Sequence, residues 1–302
     1  MWRLSAFAPL KRQLRNLLES EFRLRRDTAE KLNDFFGAFT GAGTPTLLLD
    51  FDGTLAPFRL DRFKARPWAE VRELLSRIQN QGRTRMAVIT GRPAAEVVSF
   101  LGVTPMPEVW GLHGAERLHS DGRREFEHLS PSLKTKLDAL AEDLERQTQG
   151  GLVERKPNAV AVHWRGVGPG RARAIEKRTR ALFEPFAHKD GLSILAFEAG
   201  LELRTGRNKG EAVSLLLQET GDGESHPAAY LGDDITDEAA FRAIKGKGLG
   251  VLVRREWRET CASVWLRPPQ ELRDFLSRWL HHIAHIQSNV YDPLLNSRRV
   301  PW

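Results

Sequence analysis

From Thr46 onward, short apolar runs alternate with longer stretches in which apolar positions recur every three or four residues. Thr46-Leu47-Leu48-Leu49, Met86–Ile89, Val109–Leu112, Ala228-Ala229-Tyr230-Leu231 and a run near Val251 read as buried strands. Trp68–Asn80, Ala94–Leu101 and about Gln270–Ile283 carry helical spacing. That rhythm predicts βαβ units around a parallel sheet. The middle of the chain differs. Asp121-Gly122 marks a hairpin turn between 116–119 and 124–126. A helix follows, then strands at 152–155 and 159–164, a second helix, and strands at 192–197 and 201–204. The expected fold is α/β, with a Rossmann-like parallel-sheet core over 42–115 and 205–285. An α+β insert over 116–204 is placed to cap the strand ends and close on substrate.

Both termini stand outside this rhythm. Residues 1–41 form an extension in which Leu10, Leu14, Leu17, Leu18 and Phe22 recur at helical spacing, with Lys11, Arg12 and Arg15 between them. A basic amphipathic helix can lie on a membrane. Packing on its own domain, or on a second copy in a homo-oligomer, is the expected outcome. Gly41, Gly43 and Pro45 break the helix before the first strand. The tail, 286–302, has no pattern.

Composition narrows the classes. No uninterrupted apolar stretch among the 302 residues is long enough for a transmembrane segment, and the first residues lack a signal peptide's apolar core and cleavage site. A lone cysteine, Cys261, forms no internal disulfide; it fits a cytoplasmic protein and is expected to pack as a small side chain. The net charge of +7 raises nucleic acid as a partner, but the basic residues are interspersed with acids and no nucleic-acid motif occurs. No nucleic-acid partner is expected; a small anionic substrate suits the charge.

Chemistry concentrates at strand ends. Asp50-Phe51-Asp52-Gly53-Thr54 follows the first strand, and two carboxylates there are costly unless a cation offsets them. Gly232-Asp233-Asp234-Ile235-Thr236-Asp237-Glu238 follows another strand in the same way. Hard oxygen ligands on two strand ends suit Mg²⁺. Between them, the strand 85–89 ends in Thr90-Gly91-Arg92, where a hydroxyl and free backbone N–H groups can hold a phosphate oxygen. Asn208-Lys209-Gly210 opens a helix, and a lysine there opposes the helix dipole unless acidic groups and phosphate surround it.

These four elements, in this order, resemble the haloacid-dehalogenase-like (HAD) phosphatases over most of the chain. The resemblance implies a HAD core with a C2-type cap. Asp50 would be the nucleophile that becomes an aspartyl-phosphate, and Asp52 the acid/base. Thr90 and Lys209 would bind the phosphoryl group, and Lys209 would orient Asp50. It places Mg²⁺ among Asp50, Asp52, Asp233, Asp234 and Asp237. Asp233 would be the carboxylate ligand beside Asp50, and Asp234 and Asp237 would act through water or by holding Lys209.

Within that superfamily the form Gly-Asp-Asp-Ile-Thr-Asp-Glu, the Asn-Lys-Gly at 208–210, Gly111-Leu112-His113-Gly114-Ala115-Glu116, Glu154-Arg155-Lys156, His163-Trp164-Arg165 and Glu202-Leu203-Arg204 resemble the trehalose-6-phosphate phosphatases. The resemblance covers about 46–280 and implies hydrolysis of trehalose 6-phosphate, the last step of trehalose biosynthesis. It gives Glu154, Lys156, His163, Arg165 and Glu202 to the sugar, and Gly91, Arg92, His113 and Gly114 to the remaining substrate contacts. The alternatives are a capped phosphatase for sucrose-phosphate or a glycosyl-phosphoglycerate, or an inactive phosphatase-like regulatory module.

Overall fold

The structure, a computed structural model, describes residues 8–39, 43–59, 61–148, 152–220 and 226–285. Helix α1 (Ala8–Gly37) leads into β1 (Thr46–Leu49), α2 (Ala69–Asn80), β2 (Arg85–Ile89), α3 (Ala94–Leu101) and β3 (Glu108–Gly111). Strands β4 (Glu116–Leu118) and β5 (Arg124–Phe126) form a hairpin. Then come α4 (Pro131–Thr148), β6 (Val153–Lys156), β7 (Ala159–His163), α5 (Pro169–Phe183), β8 (Ser193–Phe197) and β9 (Gly200–Arg204). The last described elements are α6 (Lys209–Glu219), β10 (Ala228–Gly232), α7 (Glu238–Ile244), β11 (Leu249–Val253), β12 (Val264–Leu266) and α8 (Gln270–His285).

Eight strands make the main sheet, in the order β12-β11-β10-β1-β2-β3-β4-β5. The first six are parallel; β4 and β5 are antiparallel. Strand side chains alternate between two helical layers. Leu47 and Leu49 of β1 pack with Val71, Leu75, Phe275, Leu276 and Trp279 of α2 and α8. Leu48 faces the other way, onto Val213, Leu216, Phe241 and Ile244 of α6 and α7. Both faces are covered, which is why these strands read as continuous apolar runs.

The hairpin corrects one expected boundary. It belongs to the core sheet, not to the insert: Gly111 pairs with Glu116, and Val109 with Leu118. Leu112 and His113 both take positive φ (52° and 59°), so the chain reverses tightly and lies back against β3. Glu116, 1% exposed, ties the hairpin down by accepting from Ala94 N and Arg124. The insert's own elements start at α4.

That insert has an antiparallel sheet, β6-β7-β9-β8, with α4 and α5 on one face. Val160, Val162, Leu201 and Leu203 face Leu137, Leu144, Ile175 and Phe183 of those helices. By period-2 alternation the opposite face carries Glu154, Lys156, Ala161, His163, Glu202 and Arg204. Register sets Glu154 beside Ala161 and Ala161 beside Glu202, so a small residue separates the two carboxylates.

Helix α1 docks its C-terminal part on its own core, where Phe35, Phe36 and Phe39 meet Phe275 and Trp279. Phe22, expected on its apolar stripe, is 70% exposed. The side chains of Leu10, Lys11, Arg12, Leu14, Arg15, Leu17 and Leu18 lie outside the described residues, as does 286–302. Among the described residues no helix is long and apolar enough to cross a membrane. Cys261 is exposed and free, not a packed core residue as expected.

Candidate active site

The C-terminal edge of a parallel sheet is where open α/β folds bind ligands. Asp50, Thr90 and Asp233 each follow directly on a strand there, β1, β2 and β10. Lys209 joins them from the first position of α6, whose end Asn208 caps with a reciprocal Glu211 partner. All four are buried, at 3% exposure or less.

Lys209 Nζ donates to Asp50 Oδ1 at 2.6 Å and to Asp237 Oδ1 at 2.7 Å. Asp237 also accepts from the Tyr230 hydroxyl at 2.6 Å and from the backbone N of Asp233 and Asp234. Its oxygens are fully used, so it anchors Lys209 and the acidic loop. Thr54 Oγ1 donates to Asp50 Oδ2 at 3.1 Å and approaches Asp233 Oδ1 at 3.4 Å. Gly53, at φ 88°, lets the loop close in: a Cβ there would collide with the Asp233 carboxylate.

Charge is out of balance at this point. Asp50, Asp233 and Asp237 can each bring an oxygen within 4.8 Å of the others, and among the described residues Lys209 is the one cation paired with them. Three negative groups against one positive leave a formal excess of two negative charges. Burial, above all, pushes the Asp50 carboxyl up to about 7, against the pull of Lys209, with Asp237 and Asp52 adding to the rise. Burial, and then Asp50 and Asp237, raise Asp233 well above its ordinary value. A divalent cation held by oxygen suits that deficit.

Asp52 is placed differently from its expected share in the metal set. Arg92 Nε and a terminal nitrogen each reach one Asp52 oxygen at 2.6 Å, a bidentate fork. Its carboxylate thus stands apart from the Asp50, Asp233 and Asp237 group, and Arg92 serves Asp52 with its fork. Asp234 caps Ile235 N and accepts from Glu198 N at 3.1 Å, so its carboxylate holds a loop to the insert.

A cavity of about 560 Å³ lies between the strand ends and the polar face of the inserted sheet. Asp50, Asp52, Thr90, Gly91, Arg92, Lys209, Asp233 and Asp234 line it from below, and His113, Glu154, Lys156, His163, Arg165 and Glu202 complete it. Gly114 and Asp237 do not line it; both lie behind the wall. Gly91 makes room, since a Cβ there would fall 2.6 Å from His113 Nε2. Thr90 Oγ1 accepts from Arg92 N at 3.2 Å, which keeps its own proton for another acceptor.

Cap polar groups are already paired. Lys156 meets Glu202 at 2.5 Å and His163 Nε2 meets Glu154 Oε2 at 2.8 Å. Burial would raise Glu154, but His163, Lys156 and Arg62 together hold it well below the carboxylate range. His113 is buried, with Nδ1 unpartnered; burial and the charges of Lys156, Arg204 and Lys209 keep its pKa well below the usual value. Arg204 reaches the Leu112 carbonyl at 3.3 Å and that of Arg207, stitching both chain crossings together.

Four cavity residues that sequence reasoning missed follow the first acidic motif: Phe58 and Arg59, then Arg62 and Phe63 in a short 3-10 helix, Arg62–Lys64. Arg165 sits over the Phe58 ring at 4.2 Å. Phe197 of the cap was missed too; it packs on His163 at 5.1 Å. The mixture of arginine and phenylalanine just after a catalytic strand was the one available signal.

A trehalose-phosphatase family model matches residues 48–261, which contain every residue of the cavity. The chain belongs to the trehalose-phosphatase family. Membership makes it a phosphatase. Relatives include a probable trehalose-phosphate phosphatase 9 of Oryza sativa subsp. japonica, 32% identical over 263 residues, covering 77% of this chain and 68% of the relative. A trehalose-phosphate phosphatase of Mycobacterium avium is 32% identical over 253 residues, covering 78% of this chain and 61% of the relative. This chain thus matches about two thirds of the length of those relatives. Among solved structures, the C-terminal domain of a Candida albicans trehalose-6-phosphate phosphatase matches with TM-score 0.72 at 21% identity, over 83% of this chain and 96% of that one. An Aspergillus fumigatus trehalose-6-phosphate phosphatase matches with TM-score 0.62 at 25% identity, over 83% and 97%. HAD-like hydrolases share the fold at lower identity.

Proposed function

We propose that this chain hydrolyses trehalose 6-phosphate to trehalose and phosphate. The carrying observation is the buried group of Asp50, Asp233, Asp237 and Lys209 opening into a cavity roofed by a charged sheet face. An Asp50 oxygen attacks phosphorus and the bond from phosphorus to the sugar oxygen breaks. The proton on Asp52 passes to that leaving oxygen. Water then attacks phosphorus, the bond to Asp50 breaks, and the water's proton returns to Asp52. Lys209 and the Thr90 hydroxyl face the phosphoryl oxygens.

Asp50 and Asp233 are the side chains that would hold Mg²⁺, with hard oxygen donors and the charge deficit it needs. When bound, it supplies neutralisation of charge on the phosphoryl oxygens. Glu154, Lys156 and Glu202 would pair with hydroxyls of the ring farther from phosphate, because each hydroxyl both donates and accepts. The cap over α4 to β9 is the lid of the reading. A reducing, cytoplasmic setting goes with the single free Cys261, and the helix bearing Phe22 is the surface on which a second copy would dock. Phosphate release from trehalose 6-phosphate with Mg²⁺, set against sucrose 6-phosphate, tests the reading. A preference for sucrose 6-phosphate overturns the substrate.

A further inference from the structure

Arg62 joins three parts of the molecule that the reaction needs to act together. One guanidinium nitrogen donates to Glu96 of α3 on the core at 2.7 Å. Another donates to Glu154 of β6 on the cap. Its backbone carbonyl accepts from Arg92 at 2.9 Å, and Arg92 is the residue that forks Asp52. A continuous chain of charge-assisted contacts therefore runs from a cap carboxylate to the proton-transferring carboxylate of the core.

Both side chains of the cap contact are partly withdrawn from solvent, at 32% exposure for Arg62 and 18% for Glu154. Screening is weaker there than for a surface pair. The fork matters as well, since a lysine presents a single point charge and cannot span Glu96 and Glu154 in one plane. Arg62 Nε is buried and has no acceptor among the described residues. Phe58, four positions before Arg62, makes a second clasp where Arg165 of the cap lies on its ring.

We propose that Arg62 is a positioning residue that latches the cap to the core and, through Arg92, sets Asp52 for proton transfer when the cap is shut. The proposal rests on the roles of Asp52 and Glu154 given above. It implies that the latch matters for esters whose leaving oxygen needs a proton and whose body reaches the cap. An aryl phosphate needs neither.

Arg62→Gln and Arg62→Lys, each checked for an unchanged circular dichroism spectrum, are compared with the wild type in two assays. Small-angle scattering of the ligand-free proteins should show a larger radius of gyration for Arg62→Gln. With Mg²⁺, kcat/KM for trehalose 6-phosphate should fall tenfold or more in Arg62→Gln, largely in kcat. For p-nitrophenyl phosphate it should stay within twofold. Because kcat/KM reports steps only through departure of the first leaving group, the two esters separate acid placement from phosphate binding. Arg62→Lys should recover little of the loss, and Arg62→Gln combined with Glu154→Gln should be no worse than the poorer single variant. An unchanged radius of gyration, an equal loss on both esters, or full recovery by lysine overturns the latch. If the wild type leaves trehalose 6-phosphate untouched, the substrate reading fails, and the scattering comparison alone decides the latch.

Discussion

Lys209 donates to Asp50 across 2.6 Å, and neither side chain is more than 5% exposed. Burial by itself would lower the lysine's pKa, but Asp237 and Asp50 hold it well above its usual range. The ammonium is therefore fixed in charge and place, and it holds Asp50 in the one orientation its second oxygen shares with Thr54. Lys209→Met leaves two buried carboxylates without their cation. We expect a loss of about 3 kcal/mol or more in unfolding free energy, measured by urea denaturation in chelator. Asp50→Asn removes one of the crowded negative charges, so it should fold at least as well as wild type while phosphate release vanishes.

Arg92 is 6% exposed and devotes its fork to Asp52. Arg92→Lys keeps the charge and loses the second hydrogen bond. We expect kcat for an alkyl phosphate to fall by a factor on the order of ten to a hundred, with KM little changed. Steady-state kinetics that instead show a raised KM at constant kcat would make Arg92 a phosphate binder.

His113 gives a pH dependence with a definite sign. Its folded-state pKa lies well below the ordinary 6.5, chiefly through burial. The unfolded chain therefore binds the extra proton, and stability falls as pH drops below about 6.5. His113→Asn keeps a side chain tolerant of the positive φ of 59° and removes the titration. Between pH 7 and 5 the wild type should lose up to about 2 kcal/mol more than the variant. Parallel stability curves for the two proteins would contradict this.

Much of the fold and the core of the site was legible because each signal was local. Apolar runs gave the strand positions, and Asp50, Thr90, Lys209 and Asp233 fall at element ends where the pattern changes. The hairpin 116–126 went astray because pairing partners are not local; a tight reversal at Leu112–His113 laid it on β3. Partners of the acidic side chains are not local either. Spacing shows that Asp52 and Asp237 are acidic and near, and the family resemblance implied that Asp237 could hold Lys209, as it does; only the folded chain shows Arg92 on Asp52, and Tyr230 and two backbone N–H groups on Asp237. Arg62 and Phe58 fall in a stretch of sequence without helical or strand periodicity, so nothing in the pattern marked them as facing the cap.

Mg²⁺ should stabilise as well as activate. A cation that binds the folded cluster and not the unfolded chain adds about 2.7 kcal/mol at a hundred times its dissociation constant. Melting temperature should rise with Mg²⁺ concentration, and Asp233→Asn should flatten the rise. Chelator should stop turnover and Mg²⁺ restore it, while Ca²⁺, with longer bonds and looser geometry, restores little. Full turnover in chelator would remove the metal from the account.

The core of the site meets phosphate and metal, so it has no means of telling one sugar from another; that task falls to Glu154, Lys156 and Glu202 on the cap face. A site that pairs a distal ring leaves its own charged groups unpaired when that ring is missing. The most direct measurement is the ratio of kcat/KM for trehalose 6-phosphate to that for glucose 6-phosphate, by phosphate release with Mg²⁺. We expect a ratio on the order of a hundred or more, with part of the difference in kcat because the distal ring helps shut the cap. Comparable values for the two substrates would contradict the account and mark a general sugar phosphatase.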